Sequence, residues 1–217
     1  LSDADVAEMV AGGFRGRRHV EAKLGVPVIG MVPDLAKLSG VDRSGGDRVE
    51  PIDYLFSDPR SPFNAAFRSI HTGLRLGTGS HAPRSVAVSS ALPEEGKTTV
   101  SVCLARSAAL AGLRVVLVDC DGRRPAASRA LAAHVETGLV EVLEGRATVR
   151  EALIRDTPSG AWVLAHSSAG PVSNDLVGSD AMAALIAQLA RDFDLIVLDT
   201  APALALAEAR SVTAMAD

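Results

Sequence analysis

Lys97, Thr98 and Thr99 close the run Ala91-Leu92-Pro93-Glu94-Glu95-Gly96-Lys97-Thr98-Thr99. A lysine between a glycine and two hydroxyl residues suits phosphate when a strand precedes it and a helix follows. Successive backbone N–H groups and the positive end of a helix then make a concave anion site. Pro93, Glu94 and Glu95 form the arc of this loop. Gly96 lets the backbone approach the ligand. The Lys97 ammonium is a mobile charge for the outer phosphates, and the Thr98 hydroxyl is a ligand for Mg²⁺. Ala91 stands where the general phosphate-loop pattern has its first glycine.

Three aspartates extend the set. Asp119 ends the apolar run 115–118, and Asp199 ends the run 195–198. Asp121 lies two residues past Asp119, so on an extended chain both side chains point the same way. In open α/β sheets the ligand sits at the carboxyl ends of the strands. Mg²⁺ takes hard oxygen donors, few of them from protein. Thr98, Asp119, Asp121 and Asp199 are therefore chemically sufficient for a metal–nucleotide site. Any one of these aspartates could instead cap a helix. Cys103 and Cys120 read as small buried residues. Neighbouring Asp119 and Asp121 would raise the Cys120 thiol, which opposes reactivity. His166 follows a strand and reads as structural. Arg123-Arg124 could contact phosphate or a neighbouring subunit, or be a solvated pair.

The elements that must position these groups follow from hydrophobic pattern. Residues 85–90 read as a strand, 97–111 as a helix closed by Gly112, and 114–119 as a strand. Residues 161–165 and 195–199 read as further strands. Helices are expected at 62–76, 126–133, 148–154 and 179–191. Unalternating apolar strands between helices imply a parallel sheet covered on both faces. Upstream, Ser2 caps a short helix to about Val10. Residues 26–32 read as a short edge strand, with Pro27 at its start. Residues 36–61, rich in Gly, Ser, Asp, Arg and Pro, read as a linker. The basic cluster Arg15, Arg17, Arg18 and His19 is a solvated segment or a surface for phospholipid.

Composition narrows the function. The 217 residues are 47% hydrophobic and 22% charged, which places the chain among globular proteins. A net charge of −4 and 3% aromatics argue against a nucleic-acid binder, so no nucleic-acid partner is expected. Two cysteines without metal-ligand spacing argue against a disulfide or zinc scaffold. The apolar runs are strand-length, far short of a membrane span. The chain starts at Leu1 rather than Met and stops in mid-pattern at Asp217, as a piece of a longer protein would.

On these motifs the sequence resembles the bacterial tyrosine kinases. The loop 91–99 is similar to their Walker A motif, including Ala91 and Pro93. Val115 through Arg123, with Asp119-Cys120-Asp121-Gly122-Arg123, resembles their second Walker A-type motif. Leu195 through Pro202 resembles their Walker B motif. Leu24 through Gly30 is similar to their juxtamembrane stretch, and Gly138–Gly145 and Asn174-Asp175-Leu176 to later segments. The resemblance runs from about residue 19 to the end.

The resemblance implies an α/β fold, a mostly parallel sheet with helices on both faces. That is a P-loop NTPase of the deviant-Walker, MinD/ParA-like type. It implies a juxtamembrane segment and linker over 1–60 and a kinase domain over 61–217. The implied activity is Mg²⁺- and ATP-dependent phosphorylation of tyrosine in a system for exopolysaccharide or capsule. The implied place is the cytoplasmic side of the bacterial inner membrane, with membrane contact through flanking segments. The implied partners are ATP and ADP, neighbouring subunits of a homo-oligomer, and the polysaccharide export machinery. Lys97 would stabilise the transferring phosphate, Thr98 and Asp121 would hold Mg²⁺ with Asp199, and Asp119 would be the base.

Four features differ from the family pattern, and of the interface helix only the first arginine, Arg68, is kept. The one tyrosine, Tyr54, falls in the linker. Glu94 stands where the family usually has glycine, so its carboxylate must turn away from phosphate. Ala65, Arg68 and His71 occupy the positions of the family's Glu-x-x-Arg-x-x-Arg interface helix. Ala201 replaces a proline after Walker B. Two other readings are an ATPase switch of the MinD/ParA type and a nucleotide-binding regulator of polysaccharide export. The first would carry its signature lysine at the position of Leu92.

Overall fold

The structure, a computed structural model, describes residues 16–35, 38, 50–76, 82–132, 135–167, 174–204 and 207–217. Helices α1 (Arg17–Leu24), α2 (Pro51–Ser57) and α3 (Pro62–Leu76) come first. Strand β1 (Ser85–Val88), helix α4 (Lys97–Leu110) and strand β2 (Val115–Asp119) follow. Next come α5 (Ala126–Leu131), α6 (Leu139–Leu143), α7 (Val149–Ala152), β3 (Leu153–Arg155) and β4 (Trp162–Leu164). The chain continues through α8 (Asn174–Val177), α9 (Asp180–Asp192), β5 (Leu195–Asp199) and α10 (Ala207–Met215). No helix among the described residues is long and apolar enough to cross a membrane.

The strands form one sheet in the order β1-β5-β2-β4-β3. All pairs are parallel except β3 with β4. Register pairs Asp119 of β2 with Asp199 of β5, and Val88 of β1 with Asp199. The three carboxyl ends therefore lie side by side.

The two central strands explain their own composition. Val115, Leu117, Leu195 and Val197 pack into one core with α2, α3 and α4. Val116, Val118, Ile196 and Leu198 pack into the other, with residues of α6 and α9. Alternate side chains go to opposite faces, and both faces are covered. On α3, Phe63, Phe67 and Leu74 are buried, with Ala66 and Ile70 half-buried beside them, as the helical spacing predicts. Gly112, at φ 91°, turns the chain after α4 in the left-handed region.

Three expectations are corrected. Residues 26–32 are not a strand. This segment lies along α3, and a Cβ at Gly30 would stand 2.3 Å from Ile70. With a helix surface beside it and prolines at 27 and 33, it has no partner for a ladder. The linker contains α2, started by Pro51 at its first turn and held by buried Leu55. The helix expected over 148–154 is the single turn α7, capped by Thr148 and Glu151, and then the antiparallel edge strand β3. The helix expected over 2–10, Arg15, the cluster 39–47 and residue 133 lie outside the described residues.

Candidate functional site

The phosphate loop runs from the end of β1 into α4. Gly96 precedes the helix at φ 87°, in the left-handed region, and has no side chain to accept from the first-turn N–H groups. Those donors face outward for a ligand. Glu94 adopts φ 67°, the one left-handed residue other than glycine among the described residues. Inside the loop, the Leu92 N–H donates to Glu95 Oε2 at 2.9 Å. Glu95 thus braces the loop rather than facing the ligand.

The charged groups meet across the strand ends. Lys97 Nζ lies 2.9 Å from Asp121 Oδ2, and both side chains are almost fully buried. The Thr98 hydroxyl donates to Asp199 Oδ2 at 2.8 Å, and the Ser101 hydroxyl to Asp199 Oδ1 at 2.9 Å. Burial raises the Asp199 carboxyl, against the opposing pull of Lys97 and the two hydroxyls. Ser101 was not legible as a site residue, although its position four residues past Lys97 on α4 places it on the same helix face.

Asp119 sits one layer deeper. It is 0% exposed, and its Oδ2 accepts from the Ser128 N–H at 2.8 Å and hydroxyl at 2.7 Å. Its Oδ1 accepts from the Asp121 N–H at 3.2 Å. Burial pushes its carboxyl up to about 7, with Ser128 pulling the other way and the Asp199 charge adding to the rise. Asp119 therefore orients Asp121 and anchors α5. The same Ser128 hydroxyl accepts from the His166 N–H at 2.7 Å, so His166 belongs to this buried layer and does not line the cavity.

A cavity of about 520 Å³ opens over these groups. Its walls include Pro93, Glu94, Gly96, Lys97, Thr98 and Thr99 of the loop and helix. Asp121, Arg123, Arg124 and Arg129 line it from the β2 side, and Pro202 from the β5 side. Asp119, Asp199 and Glu95 do not line it. The donors at the cavity floor are all oxygen, which suits Mg²⁺: the Thr98 hydroxyl and the Asp121 carboxylate line the cavity, and the Asp199 carboxylate lies buried behind Thr98. Among the described residues there is no group of three or more His, Cys, Asp or Glu placed to hold a metal. A site with two carboxylates and a hydroxyl leaves the remaining positions to phosphate and water.

The two cysteines are inert by environment. Burial pushes the Cys103 thiol up to about 12. Burial and the nearby aspartates, Asp119 first, raise the Cys120 thiol well above its usual range.

Comparison with known proteins agrees with this geometry. The family model for the AAA domain matches residues 85–217, more than half of the chain. The chain belongs to the AAA domain family. Several of the proteins it is similar to are named tyrosine-protein kinases of bacteria. It is 28% identical over 175 residues to the tyrosine-protein kinase YwqD of Bacillus subtilis, covering 81% of this chain and 74% of that one. It is 32% identical over 162 residues to the succinoglycan biosynthesis transport protein ExoP of Rhizobium meliloti, covering 73% of this chain. The chain spans only 21% of that relative's length. Among solved structures, the kinase domain of the Escherichia coli tyrosine kinase ETK superposes with a TM-score of 0.79 at 26% identity. That match covers 92% of this chain and 78% of the other. The fold is the mostly parallel P-loop NTPase architecture that MinD-like proteins share.

Proposed function

We propose that the chain is the ATP-dependent protein-tyrosine kinase domain of a protein that regulates the synthesis and export of exopolysaccharide or capsule. The observation that carries this reading is the convergence of Lys97, Thr98, Asp121 and Asp199 where β1, β5 and β2 end, beneath the 520 Å³ cavity. The kinase names of the relatives support the reaction class, and ExoP supports the polysaccharide setting.

Thr98, Asp121 and Asp199 would hold Mg²⁺, and Mg-ATP supplies the phosphoryl group and much of the charge neutralisation. The protein's own part is positioning and electrostatics. Pro93, Glu94, Glu95, Gly96, Lys97, Thr98 and Thr99 shape and rim the phosphate cradle. Lys97, paired with Asp121, would give its ammonium to phosphate oxygens, and Asp121 would then be available to Mg²⁺. Ser101 fixes the Asp199 carboxylate. Asp119 has the basicity to accept a phenol's proton near neutral pH. Its oxygens are held by Ser128 and the Asp121 N–H, so it serves as base only when one of these donors gives way.

We place the parent protein at the cytoplasmic face of the bacterial inner membrane. Membrane contact would come through segments flanking this chain, and neighbouring copies would associate with one another and with the export machinery. Arg68 is exposed on α3, where such a contact would form, while His71 is buried.

Lys97→Met tests the reading. Incubated with Mg-ATP, the chain should form phosphotyrosine on itself or on an added tyrosine peptide, and the variant should lose about 100-fold or more of that signal. Phosphate release with no phosphotyrosine in the unaltered protein would replace the kinase with an ATPase switch.

A further inference from the structure

The cavity has two unlike sides. The phosphate loop rises from β1, and the wall carrying Arg123, Arg124 and Arg129 rises from β2, on the far side of β5. On the loop side, the Lys97 ammonium is paired with Asp121 at the start of α4, where the phosphates would lie. On the β2 side, Arg124 and Arg129 are exposed. Among the described residues neither guanidinium has a hydrogen bond or an ion pair. Their backbones, by contrast, are fixed. The Arg124 N–H donates to Asp121 Oδ1 at 3.0 Å, and the Arg129 N–H donates to the Pro125 carbonyl at 3.1 Å. Ser128, next to Arg129, is clamped by Asp119. Two unpaired guanidiniums on a backbone fixed in this way are available to a ligand in the cavity.

Resting on the kinase reading, we infer that Arg124 and Arg129 recognise the carboxylates of an acidic, tyrosine-bearing peptide segment. The phosphates already have the loop amides, the α4 N-terminus and Lys97 on the opposite side. A guanidinium offers a planar fork that matches a carboxylate with two parallel bonds, which a lysine cannot. The whole chain carries a net charge of −4, so an acidic peptide is not drawn in at long range. Its recognition must be local, at this wall. Pro93 and Pro202 add apolar surface to the cavity for the tyrosine ring. The chain's own Tyr54 lies in such a sequence, with Glu50, Asp53 and Asp58 around it. In the fold, however, Asp53 is paired with Arg106 and the Tyr54 ring packs edge-on to Phe63 at 5.8 Å. That sequence is therefore a suitable probe as a free peptide.

The test uses the fluorescent peptide of residues 50–58 and its counterpart with Gln and Asn in place of the three acids. Binding is followed by anisotropy, with Mg-ADP present, to the unaltered chain and to the Arg124→Ser/Arg129→Ser variant. The acidic peptide should bind at least about tenfold tighter than the neutral one, and the variant should lose that advantage while its ADP affinity stays within about twofold. Equal binding of the two peptides would overturn the inference. So would a parallel loss of ADP affinity, which would assign the guanidiniums to the nucleotide. Adding Mg-ATP separates the two claims: selective binding with no phosphotyrosine would leave the wall's specificity standing and remove the kinase reading.

Discussion

At the scale of the residue, Glu94 pays a conformational cost that a glycine would not. Its φ of 67° belongs to the left-handed region, where a Cβ meets the backbone, at roughly 1 kcal/mol for an ordinary residue. Glu94 is also an acidic residue in the lining of an anion cavity. Glu94→Gly should relieve both. We expect the folded state to be stabilised by up to about 1 kcal/mol, offset in part by the greater freedom of glycine in the unfolded chain. ADP should bind several-fold more tightly, because a like charge has left the site. Urea unfolding and an ADP titration check the two effects separately. Weaker ADP binding would show that Glu94 contributes a contact to the nucleotide.

At the scale of the element, one arginine ties three segments together. Arg106, on α4, is 5% exposed. Its Nε and Nη2 reach the two oxygens of buried Asp156 at 3.0 Å each, and its Nη1 reaches the Ile52 carbonyl at 2.7 Å. The Phe56 ring lies 5.0 Å away. Helix α2 is thereby fastened to the helix that begins at the phosphate loop, and both are fastened to the turn after β3. Breaking a buried pair from one side leaves the other charge stranded. Arg106→Met should therefore cost about 3–5 kcal/mol in urea unfolding. A change below about 1 kcal/mol would mean that Asp156 is satisfied by the Ser159 hydroxyl and the loop alone.

At the scale of the whole molecule, the site's buried acids oppose folding at neutral pH. Asp119 titrates near 7 in the folded state because it is buried, against 3.8 for the ordinary group. Between about pH 4 and 7 the folded chain holds a proton that the unfolded chain has lost. Stability therefore falls as pH rises through that window, and the full cost is present above 7. Asp194 works the opposite way: its bonds to Arg114 hold it at about 2, so its contribution is lost only as pH falls below about 4. Buried His71 is lowered by desolvation, so its contribution fades as pH falls below about 6.5. A difference between variants isolates Asp119. Without nucleotide or magnesium, the Tm of Asp119→Asn relative to the unaltered chain should rise from pH 5 to pH 8. The gain should correspond to roughly 1–4 kcal/mol. A difference that does not vary with pH would show that Asp119 stays ionised throughout.

The phosphate loop, both strand-end aspartates and the layered α/β architecture were legible in the sequence, because each rests on local chemistry. Gly96-Lys97-Thr98 needs only its neighbours to make an anion site, and the runs 115–118 and 195–198 announce strands buried on both faces. What failed was whatever depended on a distant partner. Residues 26–32 have strand composition, yet a helix rather than a strand lies beside them. Pro51–Ser57 looked like a linker because its anchor, Arg106, is about fifty residues away. The role of Asp119 turned on Ser128, which drew it into a buried layer beneath Asp121, and Ser101 gained its place through Asp199. The sequence by itself determined which residues form the loop between β1 and α4 and which strands flank it, since local spacing and hydrophobic period suffice for that. Only the tertiary structure decided which carboxylate faces the cavity, which is buried beneath it, and that arginines form its second wall, because those depend on strand order and packing across the sheet.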